Sequence, residues 1–181
     1  SSGTIGDLWA LDLTPNSENK YEWEQLITTT TGPGSRRGHA AILYNDKMYV
    51  YGGSTSNDNG PDPDAASIKN DLWTLDLTPN SNGDYVWNQL TIDFDNYVVN
   101  NPSQFNGLSN HSMVLYNNAA YLYGGMIRKG SSGNDRYDND WFFKIELDTT
   151  PNPYFSKFDA ASERRAWNSA AVYNGNMFMF G

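Results

Sequence analysis

Residues 6–26 read GDLWALDLTPNSENKYEWEQL, and residues 70–90 read NDLWTLDLTPNSNGDYVWNQL. The two align without a gap at an offset of 64 residues. A looser third copy, WFFKIELDTTPNPYFSKF, runs from Trp141 to Phe158. Self-similarity at a fixed spacing marks a repeat architecture, in which one supersecondary unit is stacked on its neighbours. Within the copy at 70–90, Leu72–Leu77 and Tyr85–Leu90 have the residue types of strands. Thr78, Pro79, Asn80, Ser81 and Gly83 supply the connection between them.

A second unit interleaves with the first. It reads HAAILYNDKMYVYGG from His39 to Gly53 and HSMVLYNNAAYLYGG from His111 to Gly125, at an offset of 72. It returns as NSAAVYNGNMFMFG from Asn168 to Gly181. Each copy predicts a hairpin, such as Ala40–Tyr44 returning through Met48–Tyr51. The pairs Asn45-Asp46, Asn117-Asn118 and Asn174-Gly175 sit where a two-residue turn needs positive φ. The diglycine ends the second strand, and DLW-x-LDL forms the third. Each full unit is therefore four antiparallel strands, the composition of a propeller blade. No stretch carries helical periodicity.

Composition narrows the function. Twelve Lys and Arg against 21 Asp and Glu give a net charge of -9, the wrong sign for a nucleic-acid surface. No apolar run approaches the roughly 18 residues of a membrane-spanning helix. With no cysteine, this chain forms no disulfide, thiol nucleophile or Cys-ligated zinc site. That lack, with no leader visible at Ser1, favours a cytoplasmic protein as the expectation for its compartment.

These features together resemble the Kelch repeat family. The matching residues are the diglycines Gly52-Gly53 and Gly124-Gly125, the upstream Arg36-x-Gly38-His39 segment, Tyr49, and the downstream Trp23 and Trp87. The spacings exceed the typical kelch period of about 50 residues. The excess falls in the connections Ser54–Asn70, Met126–Asp140 and Thr91–Asn110. The third copy departs from the pattern, because Phe155 or Phe158 must stand in for the tryptophan of strand 4. The resemblance implies an all-β fold, a Kelch-type β-propeller segment of four-stranded antiparallel blades, about three blade equivalents in all. Residues 1–26 supply strands 3–4 of a first blade, 36–90 a second blade, 108–158 a third, and 164–181 strands 1–2 of a fourth. It also implies that strand 1 lines a central channel. Tyr49, Tyr51, Tyr121, Tyr123, Phe178, Phe180, Trp9, Trp23, Trp73 and Trp87 are then expected to pack within and between blades.

Propellers typically have 4–8 blades, so three blade equivalents leave two open sheet edges. Two arrangements would close them. Either the sequence is a window of a longer propeller, or a homodimer closes a six-bladed ring by joining half-blades head to tail.

Chemistry is sparse. His39 and His111 share one repeat position, which places them one blade apart. Kelch-like copper oxidases use a Tyr–Cys cross-link that a chain without cysteine cannot form. The iron-dependent Kelch enzymes use a Glu-x-x-x-Asp-x-x-x-His cluster that is absent from the sequence. The acidic loops Asp58, Asp62, Asp64 and Asp135, Asp138, Asp140 lack the spacing of a calcium loop. Asn110-His111-Ser112 is a formal glycosylation sequon at a strand start. No metal, cofactor or catalytic residue is expected. The expected function is a protein-interaction scaffold that presents loops to a protein or peptide partner. A Kelch-fold oxidase, a sugar-active enzyme and a carbohydrate-binding propeller are the alternatives. The residue before the His slot is Gly38, Asn110 or Trp167, which the resemblance directs toward the channel mouth. The candidate contact residues are Arg36, Arg37, Asn110, Arg128, Arg164, Arg165 and Trp167. The arginines suit an acidic peptide, and Trp167 suits an aromatic anchor.

Overall fold

A computed structural model of the chain describes residues 6–55, 67–100, 105, 107–129, 135–138, 140–159 and 163–181. Four of the five sheets among the described residues form blades or half-blades that follow one another along the chain. A half-blade at the N-terminal side pairs β1 (Leu8–Leu11) with β2 (Trp23–Leu26). The first full blade runs in the order β3 (Ala40–Tyr44), β4 (Lys47–Tyr51), β5 (Leu72–Asp76), β6 (Val86–Leu90). The second full blade is built from β8 (Ser112–Tyr116), β9 (Ala119–Tyr123), β12 (Trp141–Glu146) and β13 (Tyr154–Asp159). A C-terminal half-blade pairs β14 (Ser169–Tyr173) with β15 (Asn176–Phe180).

The strand 1–2 hairpins turn where the sequence predicts. Asn45 and Asp46 have φ of 47° and 56°, Asn117 and Asn118 46° and 60°, and Asn174 and Gly175 47° and 74°. Two consecutive residues with positive φ match the right-handed twist of the flanking strands. In the strand 3–4 connections, Asn16 and Asn80 accept local backbone hydrogen bonds through Oδ1, from Glu18 and Lys20 and from Asn82 and Asp84. This Asx chemistry makes the Thr-Pro-Asn-Ser connection a folded turn.

Three connections hold more structure than their sequences suggest. The stretch after β6 contains β7 (Asp93–Phe94), which pairs parallel with β13 as a fifth, outermost strand, and one turn of helix, α1 (Asn96–Asn100). After β2, Thr28 forms a parallel bridge to Tyr85 at the outer rim of the first full blade, the equivalent place. The N-terminal half-blade and the first full blade thus each hand an exit segment to the outer edge of the next blade, which covers an otherwise open strand. The connection between strands 2 and 3 of the second full blade carries a hairpin, β10 (Met126–Lys129) with β11 (Asp135–Asp138).

The core spans the seam between the two full blades. Phe155 is its hub, with ring centroids 5.1–5.6 Å from Phe143, Phe94, Phe105 and Tyr51. Phe155 faces Ile145, as Trp87 faces Leu75 in the first full blade, so Phe155 fills the strand-4 tryptophan slot. Burying each such side chain contributes roughly 1.5–3 kcal/mol. Tyr51 and Tyr123 are buried as expected, but Trp9, Trp23, Phe178 and Phe180 are exposed. All four lie on half-blades, where among the described residues no further strand packs beside them.

Candidate partner-binding rim

Beside this core, the seams between blades are closed at the diglycines by backbone. The N–H of Gly53 donates to the Leu108 carbonyl at 2.8 Å, and that of Gly125 to the Arg165 carbonyl at 2.7 Å. The glycine before each approaches closer still. A Cβ on Gly52 would stand 2.4 Å from the Leu108 carbonyl oxygen, and one on Gly124 2.4 Å from that of Arg165. No larger residue fits there, so the diglycine is a requirement of blade packing as well as of φ.

A second line of contacts follows the entry to strand 1. Gly38, Asn110 and Trp167 all adopt left-handed backbone, with φ of 66°, 57° and 59°. The Asn110 N–H donates to the Gly38 carbonyl at 2.7 Å, and the Trp167 N–H donates to the Asn110 carbonyl at 2.9 Å. The three sites therefore form one arc across three successive blades, with β3, β8 and β14 side by side below it. Trp167 is 55% exposed, so its indole projects from the arc instead of packing away.

The other candidates separate sharply. Arg36 is buried. Its guanidinium holds Asp71 with both arms, Nη1–Oδ1 2.7 Å and Nη2–Oδ2 3.0 Å, and Nη1 also donates to the Gly52 carbonyl at 2.8 Å. Nε donates to the Pro33 carbonyl at 3.0 Å. Trp73 Nε1 completes the set by donating to Asp71 Oδ2 at 2.8 Å. Burial pushes the Asp71 carboxyl up, but the hydrogen bonds from Arg36 and Trp73 and the guanidinium charge together hold it below its ordinary value. Arg36 is therefore an internal brace, which corrects its reading as a partner contact. Arg37, its neighbour, is half-buried, and its Nη2 is buried without a hydrogen-bond partner. Arg164 is exposed. Arg165 donates from Nη1 to the Gly181 carbonyl at 3.0 Å and lies 3.7 Å from Glu163. Arg128 lies on β10 opposite Arg136, away from the arc in sequence and on a different sheet.

Sequence reasoning missed the state of His111. It is buried against Tyr51 of the preceding blade, edge to face at 5.7 Å, and neither ring nitrogen has a partner. Burial, with a smaller effect of His39, lowers its pKa to about 3. The matching His39 is exposed, so one repeat slot holds two different environments. Among the described residues no group of three or more His, Asp or Glu is placed to hold a metal ion. The Asp58, Asp62, Asp64 loop lies outside the described residues, and Asp135 and Asp138 fall on β11.

Comparison with known proteins agrees with this geometry. Residues 1–181 match the KLHDC2/KLHL20/DRC7 Kelch-repeats domain. The chain belongs to the Kelch-repeat family. It is 26% identical over 174 residues to host cell factor 1 of Rattus norvegicus, covering 94% of this chain and 8% of that protein. It is 25% identical over 189 residues to Kelch domain-containing protein 3 of Bos taurus, covering 100% of this chain and 41% of that protein. The Kelch chain thus spans less than half the length of these relatives. The structure of YjhT shares the fold, with a TM-score of 0.55 at 16% identity over 83% of this chain and 35% of the other. No helix among the described residues is long and apolar enough to cross a membrane.

Proposed function

We propose that this Kelch segment is a protein-interaction module, and that the strand-1 entry arc is where it engages a protein or peptide partner. Arg37, Asn110, Arg164 and Trp167 form the contact set. The observation that carries this reading is Trp167. A large aromatic ring is half-exposed on a backbone fixed by left-handed φ and by its hydrogen bond to Asn110. A rigid exposed aromatic loses little entropy on binding, which is how interface anchors work. Arg164, exposed, and Arg37, half-buried, add positive charge on a chain of net charge -9, which suits an acidic segment.

The test is to pan a random-peptide display library against the chain and measure affinities of the enriched sequences by calorimetry. Acidic peptides are expected, with Trp167→Ala weakening them roughly 30-fold or more, the effect of losing an anchor. Arg164→Ala is expected to act on salt dependence and on-rate. Enrichment of peptides whose affinity ignores both substitutions would place the binding surface elsewhere.

A further inference from the structure

Two seams share one backbone plan and differ at a single slot. At the first, between the two full blades, the Gly53 N–H donates to the Leu108 carbonyl at 2.8 Å and the Asn110 N–H to the Gly38 carbonyl at 2.7 Å. At the second, before the C-terminal half-blade, the Gly125 N–H donates to the Arg165 carbonyl at 2.7 Å and the Trp167 N–H to the Asn110 carbonyl at 2.9 Å. The residue that follows each arc position is His111 at the first seam and Asn168 at the second. Both are buried. An imidazole takes up a proton in mild acid and a carboxamide does not.

His111 is enclosed by both blades of its seam. Tyr51 of β4 meets its ring edge to face at 5.7 Å, and a Cβ on Gly52 would stand 3.2 Å from its Cε1. On its own blade, a Cβ on Gly125 would stand 2.8 Å from the His111 Cβ. Both ring nitrogens are buried without a hydrogen-bond partner. Asn168 differs, since its Nδ2 donates to Ser112 Oγ at 2.9 Å.

The groups around the ring supply no counter-charge. The Tyr51 hydroxyl donates to Asn70 Oδ1 at 2.5 Å, and burial raises its pKa well above the ordinary value, so it stays neutral. Arg36 holds the Gly52 carbonyl and is committed to Asp71, as Asp71 is to Arg36. In the second full blade, Leu108 takes the Arg36 slot. Trp141 takes the Asp71 slot, because its carbonyl accepts from Gly124 as that of Asp71 accepts from Gly52. Both pack in the apolar core, so that blade places no such ion pair beside His111. His39 is a base as well, and its charge further disfavours a charge on His111. An imidazolium in this place is a lone buried cation, which is costly. Water reaches the ring when Tyr51 and Gly52 draw back from it, which is the opening of the seam. Proton uptake and opening are therefore linked.

We propose that His111 makes the seam between the two full blades a proton-sensitive clasp, closed at neutral pH and opened by acid, while the seam that carries Asn168 does not respond. In the closed seam the His111 pKa is about 3, against an ordinary value of 6.5 once the ring meets water. The opening equilibrium then rises about 25-fold from pH 7 to pH 5, and about 200-fold from pH 7 to pH 4. Opening breaks the Asn110–Gly38 bond and with it the continuous arc. That consequence for a partner rests on the arc being the contact surface, and the clasp itself does not.

Hydrogen exchange followed by NMR on the unliganded chain tests the clasp. The Gly53 and Asn110 amides report on the first seam, and those of Gly125 and Trp167 on the second. From pH 7 to pH 5, protection at Gly53 and Asn110 is expected to fall about 25-fold after correction for the intrinsic pH dependence of exchange, with little change at Gly125 and Trp167. His111→Asn copies the second-seam residue into the first and is expected to flatten the response. Titration of the His111 ring protons in the unmodified chain reports even if that variant folds poorly, with a midpoint well below 6.5 expected. A midpoint at the ordinary value, unchanged protection at Gly53 and Asn110, or equal losses at both seams would each overturn the clasp. Affinity of an enriched peptide at pH 7 and pH 5 separates this proposal from the partner reading: protection that falls at the first seam while affinity holds leaves the clasp standing and moves the binding surface off the arc.

Discussion

Replacing Gly52 by alanine tests whether the blades are held backbone to backbone. Two costs are expected, and the structure allows them to be separated. Gly52 has φ of +67°, and an added Cβ would stand 2.4 Å from the Leu108 carbonyl oxygen. Gly34 has nearly the same conformation, φ +72°, with nothing within 4 Å of the added atom. Left-handed backbone costs an L-residue about 1–2 kcal/mol, and both variants bear that term. Both also share the smaller unfolded-state gain of a Gly→Ala change. Only Gly52→Ala must push the first and second full blades apart, at about 1–3 kcal/mol for overpacking. Gly34→Ala is therefore expected to cost about 1–2 kcal/mol and Gly52→Ala about 2–5 kcal/mol. Urea unfolding followed by tryptophan fluorescence measures both from the midpoints. Equal losses for the two variants would show that the seam yields freely, and would refute the close-approach account of the diglycine.

The buried brace gives a second prediction: Arg36→Leu alone is expected to cost about 3–5 kcal/mol by stranding Asp71, while adding Asp71→Trp, to copy the Leu108 and Trp141 arrangement, recovers part of that loss by the same urea assay. His111 gives a third. Its folded pKa of about 3 lies below its ordinary value of 6.5, so below pH 6.5 the unfolded chain binds the proton first. Stability from this group is complete above pH 6.5 and falls toward pH 3, by at most about 1.4 kcal/mol per pH unit. His111→Asn, which places at 111 the residue found at Asn168, is expected to remove that slope when urea midpoints are compared at pH 7, 6 and 5; an unchanged slope would mean that His111 is not held neutral by burial.

The hairpins were legible because their cause is local. Asn-Asp, Asn-Asn and Asn-Gly are the residues that accept two positive φ values in a row, and they stand between apolar runs of strand length. The β7 strand was not legible, since Asp93–Phe94 is too short to show a period. It exists because β13 offers it an edge, a long-range cause. The β12 register was hidden for a related reason. Asp140-Trp141 reads in sequence like Asp71-Leu72, yet pairing sets Phe142 opposite Tyr123 where Leu72 stands opposite Tyr51. That one-residue shift turns Trp141 into the counterpart of Asp71 and removes the brace. Within the rim, neighbouring arginines met opposite fates. Arg36 turns inward to a carboxylate 35 residues away, and Arg37 keeps an unpaired Nη2. Charge and spacing alone do not separate them, because the deciding partner lies on another strand.

The same backbone logic explains how a fixed row of blades can carry a variable surface. Gly38, Asn110 and Trp167 share one conformation and one chain of hydrogen bonds, although their side chains have nothing in common. The bonds run from N–H to carbonyl, so they hold whatever the side chain is, although the left-handed backbone favours glycine and asparagine. At Gly38 the neighbour sets the limit, since a Cβ there would lie 2.4 Å from Asn110 Oδ1. At Trp167 the same backbone carries a large ring that is 55% exposed. Packing therefore constrains the diglycine line and leaves the entry arc open to whatever chemistry a partner selects. For that reason a binding surface is best sought on the arc, at the positions where repeat equivalence holds in the backbone and fails in the side chains.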